Sequence, residues 1–307
     1  MLNPVDNFLN KITMYRLVLY YLVVLFCVAI VLGFLEVLPY SPLALCYSAI
    51  VLIGVSWLTN WVFSRVFHAA TNIESIYITA FILVLIVNPI LPTQTAALPF
   101  LIWIAVWASA SKFIFAIKKK HLFNPAAFAV ALGAFTLGAS ATWWVGGNVP
   151  MMVPIILGGL LIVRKLRRAD LVWSFIAVSL LSVAIPTFLT DDDLVFFKLK
   201  PILLHAPLFF FAFVMLTEPL TTPPTKFLRL GYGAIVGFLF TTKMHIGSVY
   251  FTPELALLVG NIFSYVVSSK EKYLLALKEV VKIATDTYDY VFVPDMPAHF
   301  RAGQYLE

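Results

Sequence analysis

The chain has 307 residues, 62% of them hydrophobic and 12% charged, with a formal net charge of +6 and a mean hydropathy of +0.96. A soluble domain carries about 25% charged residues, so this composition excludes an ordinary water-soluble enzyme and predicts an all-α polytopic membrane protein. Lys and Arg fall between apolar runs rather than on one polar surface, which makes the positive charge a topology signal and excludes nucleic acid as a partner.

The chain opens on "MLNPVDNFLNKITMYR", a polar lead followed by no small-residue cleavage site. Ten apolar segments follow, at roughly 17–37, 43–63, 73–91, 98–117, 123–138, 149–163, 171–189, 201–217, 227–242 and 253–268. A straight helix needs about 20 residues to cross the hydrocarbon core, and segments one, two, four and seven meet that. Segments five, six, eight, nine and ten are short, and several open with Pro or Gly. Short or broken segments are tolerated where protein or a cavity satisfies the loose backbone, so these are candidates for half-helices around a site. Cys27 and Cys46 lie in apolar runs without metal-ligand spacing and read as small buried hydrophobes. No metal site is expected.

With the N-terminus inside, the inner segments carry Lys11, Arg16, Arg65, Lys112, Lys118, Lys119, Lys120, Arg164, Lys165, Arg167, Arg168, Lys226 and Arg229. The outer ones carry Lys198, Lys200 and Lys243, and Asp191, Asp192 and Asp193 are solvated in an outer loop. The bias predicts an integral protein of a bacterial-type inner membrane with both termini cytoplasmic. Ten spans divide into two halves of five, the second inverted. A short echo accompanies this: "NPILPT" (88–93) closes the third span and "EPLTTPPT" (218–225) the eighth. Inverted halves with broken helices place a ligand at their interface.

Two polar residues stand out. Asn124, before Pro125, has the makings of an N-cap, and its amide also offers paired donors and an acceptor to a ligand. Glu218 ends the eighth span, where a carboxylate is costly unless paired or functional. Lys226, Lys112 and Arg229 are its candidate partners. Glu74 reads as interface-facing, His205 as a packed histidine, and Trp143 and Trp144 as interfacial anchors.

In the tail, "SKEKYLLALKEVVKIATDT" (269–287) repeats apolar residues at Tyr273, Leu274, Leu277, Val280, Val281 and Ala284. That stripe predicts an amphipathic juxtamembrane helix. Residues 288–307 then alternate like a strand, turn at the prolines and break off. A strand without partners is not stable, so the chain reads as the front of something longer.

The final "FRAGQYLE" (300–307) resembles the opening strands of a ferredoxin–NADP reductase-type barrel, which implies FAD and NAD(P)H in a downstream reductase domain. The membrane part, about residues 15–268, resembles the B subunit of the sodium-pumping NADH:quinone reductase and the D subunit of the Rnf complex. The likeness rests on "NIESIYITAFILVLIVNP" (72–89), "KKKHLFNPAAF" (118–128), "MLTEPLTTPPTKFLRLGYGAIVGFL" (215–239) and "PELALLVGNIFSYVV" (253–267). It implies ten spans in two inverted five-helix halves and a flavin in the membrane. The family's flavin-esterified threonine belongs to a Ser-Gly-Ala-Thr string. Here the loop is "GASATWWVGGN" (138–148), matching only at Ala141 and Thr142. The implied riboflavin or FMN is therefore noncovalent. By the same likeness, Asn124, with Pro125 and Phe128 of its string, and Glu218 lie beside it. Thr217 adds a neighbouring hydroxyl, Thr221, Thr222 and Thr225 would serve the ribityl chain, and Lys226 or Lys112 a phosphate.

The expected function is electron transfer from a cytoplasmic reductase domain through the membrane flavin to a quinone or an extracytoplasmic acceptor. A small-solute or flavin transporter of inverted-repeat fold, and an anchor with an empty site, are the alternatives.

Overall fold

Several helix starts in this protein are fixed by short polar side chains. Thr13 caps α2 (Met14–Phe34), Ser41 caps α3 (Pro42–Val66) and Asn72 caps α4 (Ile73–Ile86), each accepting a backbone N–H of the first turn. A computed structural model describes residues 4–69, 72–117, 120–190, 194–241, 245–247, 249–268, 275–285, 287–295 and 297. The expectations for Lys118, Lys119, Asp191–Asp193, Lys243 and "FRAGQYLE" lie outside the described residues. Two units make up the chain, 1–267 and 268–307.

The first unit begins with α1 (Pro4–Asn10), which precedes α2. After α4 come α5 (Leu98–Ile114), a hairpin of β1 (Ala116–Ile117) and β2 (Lys120–His121), and α6 (Pro125–Leu137). A single-turn α7 (Trp144–Gly147) leads into α8 (Val149–Leu166), α9 (Ala169–Thr190) and α10 (Val195–Leu204). The short α11 (Leu208–Phe210) runs into a π turn, Phe211–Met215, in which Leu216 N–H reaches Phe211 O at 2.9 Å. Then follow α12 (Lys226–Thr241), the hairpin β3 (His245–Ile246) and β4 (Val249–Tyr250), and α13 (Pro253–Val267).

Each of the ten apolar segments carries a helix. Five are long and apolar enough to cross a membrane, and a sixth crossing arises if α10 and α11, bent by 59°, count as one. The other four, α4, α6, α12 and α13, have 13–16 residues, about 20–24 Å at 1.5 Å each, short of a hydrocarbon core about 30 Å thick. Outward-facing Trp57, Leu58, Leu157, Leu181 and Leu189 present apolar surface suited to lipid. The protein is membrane-embedded.

Packing pairs recur. In the first set α2 packs on α4, α3 on α5 and α5 on α6. In the second α8 packs on α11 and the π turn, α9 on α12 and α12 on α13. Between the sets, α2 meets α8 and α6 meets α13. The α9–α12 seam is held by small residues and hydroxyls. Ser174 Oγ donates to Leu230 O at 2.7 Å and Ser179 Oγ to Gly237 O at 3.1 Å, and Gly237 lies so close that a Cβ there would sit 2.6 Å from Phe175 O.

The tail corrects an expectation. Residues 275–284 form no helix. They are β5 (Leu275–Ala284), paired antiparallel with β6 (Thr287–Pro294). Extra residues at the register shifts Leu277/Glu279 and Lys282/Ala284 break the strand period of two. The apolar positions then fall three and four apart, which imitates a helix, while Val280, Val281 and Ile283 favour a strand. Leu277 faces Phe292 and Val280 faces Tyr290 across the pair. With the two smaller hairpins, this departs from a purely helical fold.

Other expectations also change. Trp143 and Trp144 are 5% and 3% exposed rather than interfacial. Their indole N–H groups donate to Glu254 Oε2 at 3.1 Å and Val84 O at 3.0 Å, because a buried indole needs an acceptor. His205 is exposed, at the end of α10, not packed. Cys27 is exposed on a helix long enough to present it to lipid, and Cys46 is half-buried.

Candidate functional site

The chain before α6 sets the site. The β1–β2 hairpin ends at His121, three residues before Asn124, and Asn124 is the N-cap of α6 with Pro125 at the first helical position. The Asn124 side-chain oxygen accepts from Ala127 N–H at 3.0 Å. Its backbone N–H goes to Asn261 Oδ1 of α13 at 2.8 Å, and Asn261 in turn donates to Tyr232 Oη of α12 at 3.0 Å. The side-chain amide nitrogen donates to Glu218 Oε2 at 2.9 Å. The asparagine is thus both cap and site residue.

Glu218 follows the π turn. Its second carboxylate oxygen lies 2.8 Å from His121 Nε2, and Thr221 Oγ1 lies 3.3 Å from Oε2. A carboxylate only accepts, so Nε2 carries the hydrogen between them. The lysine and arginine partners expected for Glu218 are elsewhere. Arg229 pairs with Asp170 at 2.7 Å, Lys112 Nζ donates to Ser75 O at 2.8 Å and Oγ at 3.0 Å, and Lys226 is exposed. Glu74 pairs with Arg16 at 2.9 Å.

Asn124 and Glu218 open onto a narrow cleft, part of it open to the surroundings. Met14, Tyr15 and Val18 of α2, Ile78 and Ile82 of α4, and Val214 and Leu166 make its mostly apolar walls. Ser75, Thr79, Asn124, Thr217 and Glu218 supply its polar groups, and Pro125, Ala126 and Pro219 complete the lining. A few convergent polar groups on apolar walls are the chemistry of a small-molecule site.

Among the residues expected at the site, Asn124, Pro125, Thr217 and Glu218 line the cleft. Thr221 and Thr222 are buried just behind it, with Thr222 Oγ1 donating to Pro219 O at 3.3 Å. Thr217 Oγ1 donates to Phe213 O at 2.7 Å. Phe128 stacks on Phe123 and tilts against Phe115, outside the lining. Thr225 and Lys226 are exposed and also outside it. Thr142 Oγ1 donates to Ile86 O at 3.3 Å.

Sequence reasoning missed His121, Ser75, Thr79 and Tyr15, and gave Asn261 no partner. His121 was three residues from a residue already singled out. The others share only the feature of being polar at the edge of an apolar run, which marks many residues without function.

A flavin's fused ring is apolar on its faces and carries carbonyls and N–H on one edge. Capacity remains for that edge. The Asn124 amide keeps one N–H and one lone pair beyond the bonds above, and Glu218, with about four lone-pair sites, keeps one. The polar groups of the cleft match that edge. No known family model matches the chain, and no curated protein matches it.

Proposed function

We propose that this chain is the membrane part of an electron-transfer protein and holds a flavin, without a covalent bond, in the cleft between Asn124 and Glu218. One observation carries the reading. An amide and a carboxylate 94 residues apart meet at 2.9 Å on the wall of a mostly apolar cleft, where an unpaired acid is costly. The cleft lining contains no Lys or Arg among the described residues, which favours riboflavin over FMN.

When bound, the flavin supplies one- and two-electron chemistry. The protein does the rest. Asn124 and Glu218 fix the ring edge, Ile78, Ile82 and Val214 exclude water from its faces, and Thr217 and Ser75 face the polar side chain. The recurring packing pairs support ten crossing segments in two inverted halves. On that arrangement both termini are cytoplasmic, a downstream FAD and NAD(P)H reductase domain delivers electrons, and a quinone or an extracytoplasmic acceptor receives them.

Absorbance of the purified full chain in the blue, where oxidised flavin absorbs, tests the reading. A yellow protein whose flavin leaves on denaturation supports it. A folded protein that stays colourless when riboflavin is added refutes it and favours a transporter of inverted-repeat fold. Cysteine placed at position 119 should react only from the cytoplasmic side, and at position 192 only from the other.

A further inference from the structure

His121 has no place in the cleft lining, yet it holds the cleft's carboxylate. Its Nε2 is 2.8 Å from Glu218 Oε1, and its side chain is only 10% exposed. The carboxylate fixes the tautomer: Nε2 keeps its hydrogen, so Nδ1 is the position that takes a proton from solvent. The pair is then an anion when His121 is neutral and carries no net charge when it is imidazolium. Lys112 of α5, Tyr15 of α2 and Tyr232 of α12 are also within electrostatic reach of Glu218. Of all these side chains, only histidine ordinarily changes charge between about pH 5 and 8.

We propose that His121 is a positioning residue that couples proton uptake to the redox state of the ring bound at Asn124 and Glu218. The inference rests on the flavin reading above. Electrons arriving on the ring add negative charge beside an anionic pair, which raises the pair's affinity for a proton. By linkage, a proton on the pair makes the ring easier to reduce. The balance is simple. Two electrons come from the reductant, dithionite in the test and a reduced nicotinamide by way of FAD in the proposed protein. The ring takes up one proton of its own, so one negative charge remains beside the pair. One further proton passes from solvent to His121 Nδ1, and no bond to Glu218 is broken.

The test is a spectroelectrochemical titration of the full chain loaded with riboflavin, repeated across the pH range in which imidazole titrates. A pH unit is a tenfold change in proton activity, so one extra proton per electron pair steepens the fall of the midpoint potential by about 30 mV per pH unit. Wild type should show that extra slope. His121→Gln keeps a donor for Glu218 but cannot take the proton, so it should retain riboflavin and lose the extra slope. His121→Phe should weaken riboflavin binding as well, because Glu218 Oε1 loses its partner and only Asn124 and Thr221 still hold the carboxylate. Glu218→Gln should give the shallower slope independently. His121→Gln or Glu218→Gln retaining riboflavin with the wild-type slope overturns the inference and leaves the flavin reading standing. Wild type that takes up no riboflavin overturns both.

Discussion

Substituting Asn124 with serine separates its two roles. Serine is as good an N-cap as asparagine, so its hydroxyl should still accept Ala127 N–H and α6 should start where it does now. The backbone N–H to Asn261 is unaffected by the change. What is lost is the amide nitrogen 2.9 Å from Glu218 and the donor and lone pair left for a ligand. Glu218 keeps His121 and Thr221, so the carboxylate is not orphaned. The stability loss should therefore be small, about 0.6 kcal/mol by the average for buried polar contacts in membrane proteins. Ligand binding should suffer more. Removing one partner of a buried hydrogen bond costs about 1–3 kcal/mol, roughly five- to 150-fold in affinity at 1.4 kcal/mol per tenfold. Thermal unfolding of the purified chain measures the first quantity and quenching of riboflavin fluorescence on binding the second. Asn124→Ala, which also removes the cap, should lose about a further 1 kcal/mol of stability. If Asn124→Ser binds riboflavin as tightly as wild type, the asparagine is a cap alone and the site is misplaced.

Glu218→Gln should change riboflavin affinity less than Asn124→Ser while raising the midpoint potential, since it removes a negative charge at nearly constant shape; potentiometry on the two variants side by side decides. Gly237→Ala should destabilise the chain by about 1–3 kcal/mol, because the new Cβ meets the Phe175 carbonyl at 2.6 Å and backbone must move. Gly54→Ala, with nothing within 4 Å, should be neutral or slightly stabilising in the same unfolding assay. The Arg164 guanidinium, bonded to Asp6 at 2.8 and 2.9 Å, holds that carboxyl below its ordinary value. A lowered folded value means a contribution fully present above the ordinary aspartate value of about 3.9 and lost as pH falls below it. The stability difference between wild type and Asp6→Asn should therefore vanish on acidification through that range and not on raising the pH.

The helices were legible because hydropathy and capping agree along the first unit. Ten apolar segments give ten helical regions, and Asn124 before Pro125 marks the start of α6 to the residue. The tail was misread because its two register shifts move apolar residues to spacings that a helix also produces. Trp143 and Trp144 were misplaced for a different reason. Indoles near the end of an apolar run look the same whether they face headgroups or the interior, and only the meeting with Glu254 and Val84 tells the two apart. At the site, the pairing of Asn124 with Glu218 came from resemblance, not from spacing. The hydrogen bond from His121 spans 97 residues and leaves no trace in local sequence.

The π turn at Phe211–Met215 gives Glu218 its aim as a question of phase. A helix advances about 100° per residue, and a π turn holds one residue more than the regular helix covering the same length. Everything after Met215 is thereby turned by about that angle relative to an uninterrupted helix from Leu208. The orientation of Thr217 and Glu218 toward the cleft thus depends on a single odd residue. A helical wheel drawn through 208–215 as one regular helix misplaces the end of the segment that leads into Glu218. A descendant of this protein that shed one residue from the segment would keep its hydropathy, its acid and its Pro-rich turn, and still point the acid away from His121 and Asn124.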